Sequence, residues 1–275
     1  MLPSSIEYYK ASSVADAVGK LKANPDAKIL AGGHSLIPVL KLRLNNPSML
    51  IDLGGINSLS GISENNGTIE IGAMTTHGLL ASSALVKSKI PIFAEVAETI
   101  GDIQIRNMGT IGGSIAHADP SADWPVALLV TDSVVVTNER RIPAADFFTG
   151  FFSTALNEGE IVTGISVPIP ASGTKMTYQK YSQPASRFAI AGCAVAVNNA
   201  NGNVSSARVA FTGVSSGPYR DAAVEVALNN GADVNSASQL AAENVYIRED
   251  HYATPEYRKE MAKVFARKAL EVVLG

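Results

Sequence analysis

The sequence predicts an α+β protein, and three observations carry that prediction. Strand-like and helix-like runs are grouped along the chain rather than strictly alternated. Asn66-Gly67 stands between two alternating segments in "LSGISENNGTIEIGA", which signals a tight hairpin. Late in the chain, "TYQKYSQ", "FAIAGCAVAVNN" and "SSARVAFTGV" read as three antiparallel strands, with "NNANGN" turning the last two, and helices follow.

The elements come in order. In "SVADAVGKLKAN", Val14, Ala17, Val18 and Leu21 fall at helical spacing. Ser12 or Ser13 caps this helix and Asn24-Pro25 ends it. "AKIL" is a short strand that runs into Gly32-Gly33. "LIPVLKLRL" is a helix or an extended segment, and "SMLIDLGG" is a second strand. After the hairpin come helical patches at 77–84 and 90–100, a loop at 109–114, a helix in "DWPVALLV" and strands in "SVVVT" and "EIVTGISVPIP". "ASGTK" at 171–175 is the linker, and helices at 220–229, 236–246 and 255–273 close the chain. The units are therefore 1–56, 57–170 and 175–275.

A chain of 275 residues can bury two or three compact cores. Its net charge of −3, without a basic block, argues against a nucleic-acid partner. No apolar run reaches the about 18 residues of a membrane span. "MLPSSIEYYK" does not read as a secretory signal. Cys193 is the one cysteine, set among small apolar residues, and reads as a packing residue in a reducing, cytoplasmic compartment. One thiol forms no intrachain disulfide and holds no iron–sulfur cluster or structural zinc alone.

Two glycine pairs stand out, "LAGGHSLIP" at 30–38 and "GTIGGSIAHADPSADW" at 109–124. Each lies beside a β-like segment and leads towards a helix. Backbone N–H groups at such a turn can nest an anion, helped by a helix N-terminus. Glycine leaves room for the backbone twist and for close approach of phosphate oxygens. Ser35, Thr110 and Ser114 add hydroxyl donors. Neither segment fits G-x-G-x-x-G or G-x-x-x-x-G-K-[ST]. Each pair alone reads as a turn or a phosphate site, and the two together suit a pyrophosphate.

The other constellations are weaker. His117 and Asp119 lack a nearby third metal ligand. Asp119 before Pro120 reads as a helix N-cap with proline at the first position, and Asp123 as an acceptor for a ribose hydroxyl. "GGHSL" lacks the glycine of a nucleophile elbow. His77 starts a helix or does chemistry. Lys180 and Arg187 read by default as solvated or ion-paired.

"AGGHSLIPVLKLRL" with "DIQIRNMGTIGGSIAHADPSAD" closely resembles the FAD-binding medium subunit of the molybdenum hydroxylases, the group of carbon monoxide and xanthine dehydrogenases. The resemblance extends over nearly the whole chain. It implies an α+β fold: a two-subdomain FAD-binding domain of the vanillyl-alcohol-oxidase (PCMH) type, 1–56 and 57–170, then a C-terminal domain with a three-stranded antiparallel sheet and helices.

By position, the resemblance implies that Ala31, Gly32, Gly33, His34 and Ser35, and Thr110, Ile111, Gly112, Gly113 and Ser114, grip the FAD pyrophosphate. It places Asp123 at the adenosine side and Lys180 near the flavin ring. Ile161 or Val162 is a backbone contact to the isoalloxazine. Ile100 occupies a ring-side position that is aromatic in animal xanthine enzymes. No residue here is expected to act as a catalytic acid or base, and no metal is expected in this chain. The resemblance assigns the molybdenum–pterin to a large partner subunit and [2Fe–2S] clusters to a small one, in a dimer of heterotrimers, with electrons leaving through FAD. A self-sufficient FAD oxidoreductase and a non-enzymatic nucleotide-binding module are the alternatives.

Overall fold

The computed structural model describes residues 5–200 and 203–275. The first unit is a three-stranded sheet of β1 (Glu7–Lys10), β2 (Lys28–Leu30) and β3 (Met49–Asp52), in the order β1-β3-β2. Both pairings are parallel, so crossovers are required, and α1 (Val14–Ala23) and α2 (Leu36–Lys41) supply them. Ser13 is the α1 cap: its Oγ accepts from the Asp16 N–H at 3.1 Å. β1 leaves no signal in the sequence, being an edge strand that is mostly exposed and shows no apolar alternation.

The second unit is antiparallel throughout. Its sheet runs β4 (Ile62–Asn65), β5 (Thr68–Gly72), β10 (Val162–Pro168), β6 (Val134–Thr137), β7 (Arg141–Pro143). Asn66 and Gly67 turn β4 into β5 with φ of 47° and 79°, the left-handed pair a two-residue hairpin needs. The helices are α3 (His77–Ser82), α4 (Ala84–Lys89), α5 (Pro91–Thr99), α6 (Ile103–Met108), α7 (Ile111–His117), α8 (Trp124–Val130) and α9 (Ala144–Phe147). A hairpin of β8 (Phe148–Gly150) and β9 (Ser153–Thr154) follows. The patch expected at 77–84 stops at Ser82, because Ser83 caps α4 by accepting from the Val86 N–H. Phe93, Trp124 and Phe147 are fully buried in the core of this unit.

The third unit corrects one expectation. Its sheet has four strands, β11 (Thr174–Ser182), β12 (Ala189–Ala200), β13 (Asn203–Thr212) and β14 (Tyr219–Arg220). The fourth has two residues, too few to leave a period-2 pattern. The turn expected at "NNANGN" includes residues 201–202, outside the described residues. Helices α10 (Ala222–Asn229), α11 (Val234–Gln239) and α12 (Pro255–Leu274) cover one face. That face carries Cys193, Val195 and Phe211, and the other carries Tyr178, Ala194 and Ala210 against the second unit's core. Burial on both faces explains why "AIAGCAVAV" is apolar without alternation.

The third unit also grips the chain just ahead of α8. Thr212 Oγ1 donates to the Ala122 carbonyl at 2.7 Å, and the Gly213 N–H to that of Pro120 at 2.8 Å. Behind this contact Arg258, 0 % exposed, donates through Nη1 to the carbonyls of Ile190 and Gly213 and pairs with Asp250. Asp123 is thereby fixed between two units.

Candidate functional site

The two glycine pairs meet in space, and their backbones do different work. Gly32-Gly33 leaves β2 in a true turn, with Gly33 at φ 74°. A Cβ on Gly32 would collide with the Met108 carbonyl oxygen and lie 2.8 Å from Gly109 Cα. Among the described residues, no hydrogen bond uses the N–H of Gly32, Gly33, His34 or Ser35. Such a run of free donors suits an anion.

The second pair is not a loop, as 109–114 was expected to be. Thr110 caps α7, its Oγ1 accepting from the Gly113 N–H at 3.2 Å. The Ile111 N–H donates to Thr75 O at 3.1 Å, Gly112 to Ala73 O at 2.9 Å and Ser114 to Thr110 O at 3.0 Å. These four N–H groups are spent inside the protein. Gly112 is glycine for packing, since a Cβ would come within 2.5 Å of the Ala73 side chain. Gly113 touches the first turn instead, where a Cβ would lie 3.3 Å from Ala31 Cβ.

Between the pairs lies a cavity of about 600 Å³, within the range of small-molecule and cofactor sites. Of the residues singled out from the sequence, Ala31, Gly32, Gly33, His34, Ser35, Ile100, Thr110, Gly113, Ser114 and Asp123 line it. Ile111 and Gly112 do not; both are buried in the body of α7. Ile161 and Val162 are also elsewhere. Ile161 packs in the core of the first unit. Its N–H and carbonyl are both taken by Asn138, at 2.6 and 3.1 Å. Val162 pairs with Thr137 at the start of β10.

At the Ile100 end, three side chains lock together. Tyr178 Oη donates to Asp123 Oδ1 at 2.5 Å, and Lys180 Nζ lies 2.9 Å from Oδ2. Lys180 also donates to the carbonyls of Thr99 and Arg187, at 3.1 and 2.8 Å. Burial pushes the Asp123 carboxyl above the usual carboxylate range, against the pull of Lys180 and Tyr178. Asp123 lines the cavity, and Lys180, which does not, stands behind it and holds its carboxylate. Of the two default readings, solvated or ion-paired, Lys180 is the second, with its side chain 3 % exposed.

Asp119 is not a helix cap either. Its Oδ1 accepts from the Ser121 N–H at 2.8 Å in a turn, and α8 begins only at Trp124. His117 lines the cavity with its ring 5.1 Å from that of Phe152. Tyr178 is not among the residues singled out from the sequence, and His77 has two readings there. Tyr178 had a signal, since residues two apart on a strand share a face, which puts it beside Lys180. His77 both starts α3 and lines the cavity.

Comparison with known proteins gives this cavity a context. Residues 4–170 match the family described as "FAD binding domain in molybdopterin dehydrogenase". Residues 176–273 match "CO dehydrogenase flavoprotein C-terminal domain". The glyceraldehyde dehydrogenase medium chain of Sulfolobus acidocaldarius is 36% identical over 282 residues, covering 99% of this chain and 100% of that one. The carbon monoxide dehydrogenase medium chain of Hydrogenophaga pseudoflava is 38% identical over 279 residues, covering 98% and 97%. Among solved structures, the H. pseudoflava carbon monoxide dehydrogenase that lacks the Mo-pyranopterin moiety of its cofactor superposes with a TM-score of 0.96 at 39% identity, covering 99% of this chain and 98% of that one. Quinoline 2-oxidoreductase from Pseudomonas putida gives 0.93 at 28% identity, covering 100% of both chains. With both halves of the chain matched, the protein belongs to the family of FAD-binding medium subunits of molybdenum hydroxylases of the carbon monoxide dehydrogenase and xanthine dehydrogenase type.

Proposed function

We propose that this chain is the flavin end of an electron path whose earlier stations lie on other polypeptides. In this reading a large partner oxidises the substrate at a molybdenum–pterin centre, and a small partner relays electrons through [2Fe–2S] clusters. The redox chemistry here is that of FAD, which takes up electrons singly and releases them as a pair to an external acceptor. The three chains assemble as a dimer of heterotrimers in the cytoplasm. Among the described residues, no helix is long and apolar enough to cross a membrane.

The observation that carries this reading is the cysteine count set beside the flavin fold. A [2Fe–2S] cluster takes four protein ligands, normally cysteines, and this chain has one cysteine. Cys193 is 0 % exposed inside β12, and burial pushes its thiol well above the usual range. Electrons from a cluster must therefore arrive from another chain.

The cavity fits FAD on its own chemistry. The four free N–H groups of Gly32–Ser35 suit the pyrophosphate, joined by the hydroxyls of Ser35, Thr110 and Ser114. Ile100 offers an aliphatic surface to a ring system, and Asp123, held from behind by Lys180, brings a carboxyl group to the lining. The protein's share is binding, orientation and electrostatics.

Anaerobic stopped-flow mixing tests the proposal. The isolated FAD-loaded chain, mixed with carbon monoxide, aldehydes or N-heterocycles, should keep its flavin oxidised, whereas the complex purified with its partners should bleach with its own substrate. Substrate-dependent bleaching of the isolated chain would instead establish a self-sufficient oxidoreductase.

A further inference from the structure

His77 opens α3 and is 5 % exposed, its ring walled by Trp124 on one side and Gly109 on the other. An indole N–H can only donate. Trp124 Nε1 lies 3.1 Å from His77 Nδ1, so Nδ1 accepts and, in the neutral ring, the proton sits on Nε2. That tautomer follows from the chemistry of tryptophan.

The Nε2 edge faces Gly109, where a Cβ would come within 2.8 Å of Nε2 and 2.9 Å of Cδ2. Glycine keeps that edge clear. His77 and Gly109 both line the cavity, and among the described residues the one hydrogen bond made by the His77 side chain is at Nδ1. Gly109 in turn abuts Gly32, the start of the turn with the unspent N–H groups. A nearly buried donor of fixed tautomer thus opens beside the four free backbone donors.

We propose that His77 is an anion-binding residue whose Nε2–H donates to the pyrophosphate of the FAD in this cavity, with Trp124 as the positioning residue that fixes its tautomer. This rests on the FAD reading above and adds two residues to it. The donor is neutral: burial, then the proximity of His34 and Arg106, lowers the imidazole pKa to about 4. An uncharged donor binds the diphosphate without the cost of an ionised group buried in the FAD-free protein.

The test uses the full-length chain labelled with ¹⁵N-histidine. Added FAD should shift the His77 Nε2–H resonance while Nδ1 keeps its acceptor signature. ADP, which carries the same pyrophosphate without a flavin, should do the same, and riboflavin should not. His77→Phe, which keeps a ring but no donor, should weaken FAD binding about 10- to 100-fold, the effect of losing a hydrogen bond to a charged group. Trp124→Phe should weaken it less and let both tautomers appear. If the wild type binds FAD with the Nε2 resonance unmoved, or if folded His77→Phe keeps full affinity, the role of His77 is overturned and the FAD reading stands. If the wild type binds no FAD at all, that reading fails first and this one with it.

Discussion

The Lys180 ammonium lies 2.9 Å from Asp123 Oδ2, with only 3 % and 6 % of the two side chains exposed. The pair is 57 residues apart in sequence and joins β11 of the third unit to the entry of α8 in the second. Breaking it from one side leaves the other charge buried and uncompensated. Lys180→Met should therefore cost about 3–5 kcal/mol in stability. Lys180→Met combined with Asp123→Asn should recover part of that loss, because no unpaired charge remains. Urea unfolding of the two variants checks this, and equal destabilisation in both would show that the pair itself is not the source.

The junction of the glycine segments gives a second prediction. Gly113→Val would place a Cβ 2.9 Å from Thr110 Oγ1 and 3.3 Å from Ala31 Cβ. Gly32→Ala would drive a methyl into the Met108 carbonyl. Each should cost about 1–3 kcal/mol through overpacking, and each should purify without FAD because it displaces the cavity wall. Gly19 is the contrast: it lies in α1 with nothing within 4 Å of a would-be Cβ. Gly19→Ala should stabilise by about 0.5–1 kcal/mol and keep its flavin absorbance. A colourless Gly19→Ala, or a yellow Gly113→Val, would break the link between this junction and cofactor retention.

These contacts also separate what is legible in the sequence from what is not. The Asn66-Gly67 hairpin and the long strands β12 and β13 were legible because their signals are local. The two glycine pairs look alike as text, yet only one presents free N–H groups. The other is silenced by the carbonyls of Ala73 and Thr75, more than thirty residues upstream. For Lys180 the sequence leaves solvated and ion-paired open, because its partners Thr99 and Asp123 are remote in sequence. Asp119-Pro120 carried a sound capping signal, but Ser121 and Ala122 are held by Ala189 and Thr212, and the helix starts later. In each case local chemistry proposed a role, and a group distant in sequence decided it.

Acid should weaken the FAD-free fold in two separate windows. His77 is held neutral at a pKa of about 4, below its usual 6.5. Between those values the unfolded chain takes up a proton that the folded chain refuses, so stability falls as pH drops from 6.5 to 4, by up to about 3 kcal/mol. Glu160 works in a lower window. Burial pushes its carboxyl up, but Arg140, the Asn157 N–H and the Thr137 hydroxyl outweigh burial and hold it at about 2, against a usual 4.5. Its stabilisation is complete above pH 4.5 and lost as pH falls towards 2. The loss is about 2–3 kcal/mol once the partial exposure of Arg140 is allowed for. Thermal melts from pH 8 to 3 separate the two groups. His77→Phe should remove most of the slope in the upper window alone, His117, which burial also lowers, supplying what remains. Glu160→Gln should lower stability at pH 7 and flatten only the lower one. An upper window that keeps its slope in His77→Phe would assign that proton to another residue and remove the case for a buried neutral imidazole.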